Sequence, residues 1–138
     1  CNKMMLCYFD AFDVWAKVYL VEHSERLFKK KLTLEQVQDG YHPTVKRHVA
    51  EAYEPLLRCK IDTTGRREVS YWTPEGVRRE APTDWRRVRV IPQLEIPNLW
   101  SMSREMGWVI QCTALRIFEE SVECPFAAID GETESMTE

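Results

Sequence analysis

The chain has 138 residues, a formal charge of −3 and 44% hydrophobic residues. That is the length of one domain with apolar content for a real core. No stretch approaches the roughly 18 consecutive apolar residues of a membrane-spanning helix, and five glycines are too few for collagen-like, Gly-rich or P-loop chains.

Residues 4–31 carry apolar side chains at three- and four-residue steps (Met5, Phe9, Phe12, Ala16, Tyr19, Leu20, Leu27), which predicts one long helix. Asp13 with Lys17, Glu22 with Arg26, and Glu25 with Lys29 are acid-before-base pairs four apart. Lys29, Lys30 and Lys31 fall in its last predicted turn, where cations favour the helix dipole. Thr33 followed by Gln36 fits a capping box, opening a second helix that Gly40 ends. Pro43 then suits the first turn of a third helix with Val45, Val49, Ala52, Tyr53 and Leu56 on its apolar face, distorted near Pro55.

After Asp62–Gly65 the period changes to two. Glu68–Thr73 and Val77–Glu80 read as a hairpin around the Pro-then-Gly turn at 73–76. Arg86–Ile96 reads as a strand with one basic face, and Pro92 and Pro97 predict an edge strand or a bulge. Asn98–Gly107 is expected to be a connection with Trp100 tucked inward, and Trp108–Phe118 is the most strand-like run. Helices first and an antiparallel sheet after them make an α+β domain over residues 1–126. Residues 127–138 are expected to form a flexible acidic tail.

Charge is unevenly placed. Residues 119–138 hold seven acids and no Lys or Arg, which leaves a body of charge +4. The five cysteines (Cys1, Cys7, Cys59, Cys112, Cys124) are odd in number and form no CxxC, so reduced thiols are expected, as in cytosol, nucleus or an organelle matrix. Cys1 stands where an initiator Met would. A removed targeting presequence accounts for that, and so does an incompletely traced or engineered chain.

Few residues suggest catalysis. His23, His42 and His48 lack metal-ligand spacing and a Cys pair to complete a site, so surface or helix-end roles are expected. Cys59 and Cys112 sit in no nucleophile signature, and a lone Cys on a strand reads as a small core residue. Asp10 and Asp13 lie one turn apart, but Lys17 is the expected partner of Asp13 on a solvated face. The basic groups say more. Arg66, Arg67, Arg78, Arg79, Arg86, Arg87 and Arg89 fall in the predicted sheet region with Trp72 and Trp85 among them. Arg with Trp is typical of protein-interface anchors, and also of nucleic-acid contact through phosphate pairing and stacking.

The order of elements resembles the cone-shaped fold of nuclear transport factor 2 and its relatives, N-terminal helices packed on a curved antiparallel sheet. Within that superfamily the chain looks most like the Tim forty-four-like group, which includes the mitochondrial import-motor anchor and a large-subunit mitochondrial ribosomal protein. The stretches that carry the resemblance are Leu34–Leu57, RREVSYW ending at Trp72, Val88–Glu95 (VRVIPQLE) and Gly107–Ile117 (GWVIQCTALRI), about half the chain. The group adds a further strand where this chain has Glu119–Ile129 and then its acidic tail.

The resemblance implies a non-catalytic subunit, with no cofactor and no catalytic residue to carry over, on the matrix side of the mitochondrial inner membrane. It would belong to a respiratory-chain complex, the ATP synthase or the mitochondrial ribosome. The seven arginines with Trp72 and Trp85 would dock on protein subunits, and Lys29–Lys31 would meet lipid headgroups or RNA. Two other readings stand beside it: a small-molecule enzyme or binder using the cone's pocket, with Tyr19, Tyr53, Asp10 and Asp13 as candidates, and an RNA-binding module.

Overall fold

The structure is a computed structural model that describes residues 3–50 and 53–120. The expected acidic tail lies outside them. The elements in chain order are α1 (Lys3–Glu22), α2 (Ser24–Phe28), α3 (Leu34–Gly40), β1 (Tyr41–His42), β2 (Val45–Lys46), β3 (Leu56–Leu57), β4 (Ser70–Trp72), β5 (Arg78–Arg79), β6 (Val88–Met102) and β7 (Glu105–Glu119). The chain is α+β, as expected. Two compact units form: the described residues up to Val69 with Pro92–Ala114, and Ser70–Ile91 with the described residues from Leu115 on.

The first helix is shorter than predicted. Ser24 is buried; its hydroxyl donates to the Val21 carbonyl at 2.9 Å and accepts the Leu32 N–H at 2.9 Å. A serine bonded back to a carbonyl three residues earlier competes with the helix ladder. The chain therefore breaks at His23, adds the short α2, and stops at Lys29 in the left-handed region (φ 61°). Lys29–Lys31 thus follow a helix end and do not form its last turn. The capping box is realised: Thr33 Oγ1 accepts from the Gln36 N–H at 3.2 Å, and Gln36 Oε1 accepts from the Thr33 N–H at 2.9 Å.

Among the described residues the third predicted helix does not form. β1 and β2 flank a bend at Thr44, and β2 pairs antiparallel with β3 (Val45 opposite Leu57). Of the expected apolar face only Val45 is buried, while Val49, Tyr53 and Leu56 are exposed; Ala52 lies outside the described residues. Pro43 biases His42 toward extended backbone, and Asp13 takes both donors of Thr44.

In the first unit the core has two neighbouring parts. Ala16, Leu20, Val37, Tyr41 and Met106 form one, and Phe9, Val45 and Ile110 the other. Burying one such side chain contributes roughly 1.5–3 kcal/mol. β1 lies parallel to β7, with Tyr41 opposite Met106. The sheet is therefore mixed, not antiparallel throughout. Its centre is β7, which pairs with β1, β4 and β6.

β6 runs through both Pro92 and Pro97 and, among the described residues, pairs only with β7, as befits an edge strand. It also absorbs Asn98–Met102, which had been expected to be a connection. The link is a two-residue turn, Ser103–Arg104, with Ser103 left-handed (φ 59°). β7 buries Ile110, Gln111 and Cys112 in succession, so both of its faces are covered there. In the second unit β4 and β5 pair antiparallel (Trp72 opposite Arg78) around the expected turn, where the Gly76 N–H donates to the Thr73 carbonyl at 3.0 Å and Gly76 has φ 86°.

Candidate functional site

The least ordinary feature of the first unit is the outer face of α1. One face of this helix is in the core (Phe9, Asp13, Ala16, Leu20). The other is also apolar: Tyr8 is 63% exposed, Val14 66%, Trp15 53% and Val18 47%, with Met4 exposed beyond them. Met4, Tyr8, Ala11, Trp15 and Val18 follow alternating four- and three-residue steps, the spacing of a helix-pairing seam. Trp15 is supported from behind by Phe12 and Tyr19, with ring centroids 5.7 and 5.0 Å away. Contiguous exposed apolar patches of this kind mark interaction sites. The signal was present in the sequence as a second stripe.

Asp13 is not on a solvated face. It is 6% exposed and accepts from Tyr41 Oη at 2.6 Å, from Thr44 Oγ1 at 3.0 Å and from the Thr44 N–H at 3.1 Å to each oxygen. Lys17, its expected partner, lies instead over the Tyr41 ring, 5.7 Å from the centroid. Burial, with the Asp13 hydrogen bond, pushes the Tyr41 hydroxyl well above the usual tyrosine range. This Tyr–Asp pair holds α1 to the β1–β2 segment. With its acceptor capacity used, it is a structural latch.

Asp10 takes a bidentate ion pair from Arg47 at 2.8 and 2.6 Å, and that hydrogen-bonded guanidinium lowers its carboxyl below the ordinary value. Tyr53 is exposed, and Tyr19 is half-buried and packs against the core cluster. The four residues named for a pocket thus do not converge on one cavity.

The basic residues divide. Arg66 and Arg67 sit in an exposed turn of the first unit. The others belong to the second. There the Arg78 guanidinium lies 5.9 Å from the Trp72 ring centroid, and Trp72 Nε1 donates to Ser70 Oγ at 2.8 Å. Arg79 pairs with Glu119 at 2.9 Å and Arg86 with Asp84 at 2.9 Å. Hydrogen bonds from Arg86 lower the Asp84 carboxyl. Trp85 is exposed and packs beside Tyr71 at 6.0 Å. Arg87 and Arg89 are exposed.

A cleft of about 900 Å³ opens in the first unit between the end of α2, α3 and the β6–β7 turn. Phe28, Leu32 and Met106 are among its apolar lining residues, and Lys29, Lys30 and Arg104 among its cations; Lys31 does not line it.

The histidines stay apart from one another in role. His23 stacks on Tyr19 at 4.3 Å, His42 meets Glu105 at 3.3 Å, and His48 packs beside Tyr53 at 4.8 Å. Among the described residues no three His, Cys, Asp or Glu side chains are grouped to hold a metal. Cys112 is buried in the core, as expected, and Cys59 is half-buried. Burial, with Cys112 nearby, pushes the Cys59 thiol up to about 11, which is the opposite of an activated nucleophile. No helix among the described residues is long and apolar enough to cross a membrane.

No protein-family model, no curated protein and no solved structure matches this chain.

Proposed function

We propose that this protein is a non-catalytic docking subunit of a large assembly on the matrix side of the mitochondrial inner membrane. The observation that carries the docking reading is the outer face of α1, where Tyr8, Val14, Trp15 and Val18 form an exposed apolar row on a helix already anchored by its other face. Aromatic anchors on a rigid element are what interface hot spots are made of. The assembly and its location rest on the resemblance to the Tim forty-four-like group, whose members dock through the N-terminal helix and a cone-shaped sheet. A respiratory-chain complex, the ATP synthase and the mitochondrial ribosome all fit that reading.

The second unit offers a polar counterpart, with Arg87 and Arg89 exposed and Arg78 beside Trp72. Lys29–Lys31, exposed after α2, suit anionic lipid headgroups. The test is native purification of the tagged protein from mitochondria with mass spectrometry of what accompanies it. Recovery with a stoichiometric set of assembly subunits, lost in the Arg87→Glu/Arg89→Glu variant, supports the reading. Recovery as a free chain overturns it.

One observation favours a second reading, a small-molecule binder: the cleft beside α2, which pairs apolar lining with three cations. Saturable binding of an anionic amphiphile, lost in Arg104→Ala, would support that role.

A further inference from the structure

The α1 row is complementary to itself, and this names its occupant. We propose that α1 pairs antiparallel with α1 of a second copy of this chain, across a two-fold axis at Ala11. The inference rests on the docking reading of α1 and adds the partner.

The argument is one of register. At 100° per residue, Met4, Cys7, Tyr8, Ala11, Val14, Trp15, Val18 and Glu22 fall on one side of the helix, and each of them is exposed. A two-fold axis at Ala11 brings residues whose numbers sum to 22 to the same height, and residues on the same flank meet. Trp15 then lies on the same flank as Tyr8 of the second copy and about 1.5 Å from its height, one residue's rise, so an aromatic pair forms twice. Val14 and Cys7 are offset by the same step on the other flank, and Val18 and Met4 are level on either side of the midline. Ala11 meets itself at the crossing, where a small side chain lets the axes approach. The large groups lie outward of the small one on both sides, so neither copy meets a clash of two bulky residues.

Charge selects the same orientation. Lys3 and Glu22 are exposed at opposite ends of α1, Glu22 on this face and Lys3 at its margin, about 80° round from Ala11. Antiparallel pairing brings Glu22 within about one turn of the second copy's Lys3, twice by symmetry. Parallel pairing would place Lys3 against Lys3 and Glu22 against Glu22, which is unfavourable.

The area is sufficient for a reversible dimer. At 150–250 Å² per fully covered aromatic, the exposed parts of Tyr8 (63%) and Trp15 (53%) supply about 170–290 Å², and those of Met4, Val14 and Val18 raise the total to at most about 600 Å² per copy. Two copies would hide up to about 1,200 Å², the lower end for specific interfaces. Dissociation in the micromolar range is the expected consequence.

The experiment is sedimentation of the full chain from about 1 to 200 μM, with Ala11→Glu and Cys7→Ser/Ala11→Cys variants. The wild type should pass from one to two chain masses over that range. Ala11→Glu, which sets two carboxylates against each other at the axis, should weaken association at least about 100-fold while circular dichroism, and Tm measured at about 1 μM where both chains are monomers, stay unchanged. Mild oxidation should cross-link Cys7→Ser/Ala11→Cys through position 11. Wild-type Cys7 should not cross-link to its equivalent, since antiparallel copies hold the two about 12 Å apart along the axis.

A wild type monomeric at 200 μM, a dimer indifferent to Ala11→Glu, or efficient Cys7–Cys7 cross-linking overturns the proposal. The two readings fail separately. A monomer that still co-purifies with an assembly removes the second copy and keeps the docking function. An Ala11-dependent dimer that enters no assembly does the reverse.

Discussion

Removing the Asp13 carboxylate should strip three buried donors of their only described acceptor. Asp13→Ala leaves Tyr41 Oη, Thr44 Oγ1 and the Thr44 N–H facing a void, on residues that are 7% and 4% exposed. Each buried donor left unsatisfied costs about 1–3 kcal/mol. Allowing for water entering the space, the loss should be about 3–6 kcal/mol, against a total stability of about 5–15 kcal/mol for a domain. Tyr41→Phe removes one donor and leaves Asp13 bonded to Thr44, so about 1–2 kcal/mol is expected. Urea unfolding followed by circular dichroism measures both. The double variant completes a cycle and should cost less than the two singles together, because the Tyr41–Asp13 bond is counted twice in their sum. An Asp13→Ala loss below about 1 kcal/mol, or strict additivity, would refute the view that this carboxylate fastens α1 to the β1–β2 segment.

Three further outcomes are expected. The Cys59 thiol, raised from 9.0 to about 11, keeps its proton in the folded chain after the unfolded chain has lost it. Stability should therefore be level below pH 9 and fall as pH rises toward 11, and at pH 8 iodoacetamide should modify the exposed Cys7 much faster than Cys59 by peptide mass spectrometry; equal rates would contradict this. Gly40→Ala should lower the urea midpoint sharply, since a Cβ there would fall on the Arg104 carbonyl in the turn between β6 and β7. An unchanged midpoint would mean that turn moves freely. Thr33→Ala should cost about 1 kcal/mol through loss of the capping box, with Thr33→Ser restoring most of it; equal losses for both variants would point to packing of the methyl group.

What could be read in the sequence was what is decided locally. The capping box at Thr33 and Gln36 and the Thr73–Gly76 turn need only their own residues, and both appear where the pattern put them. The edge character of β6 was likewise written in Pro92 and Pro97. The stretch after Gly40 departs from its helical spacing because that spacing is overruled from outside: Asp13, 31 residues earlier, occupies the Thr44 donors. The same distant bond turned a surface acid into a buried one. The parallel step between β1 and β7 is also non-local, and no short pattern announces it. On α1 the difficulty was different. One apolar stripe is sufficient to specify a helix, so the second adds nothing to that assignment, though its spacing is as regular.

The parallel pairing of β1 with β7 also sets a timetable. Tyr41 and Met106 are partners in the sheet, yet 65 residues separate them. A chain made from its N-terminus at about 5–20 residues per second emits β1 roughly 3–13 s before β7 exists to receive it. During that interval Phe9, Leu20, Val37 and Val45 await the strand that will supply Met106 and Ile110. The β6–β7 hairpin, by contrast, closes on two residues and can form as soon as it is made. Its arrival ends the exposure. A nascent chain of this protein should therefore be held by chaperones mainly while its first hundred residues are out and β7 is not.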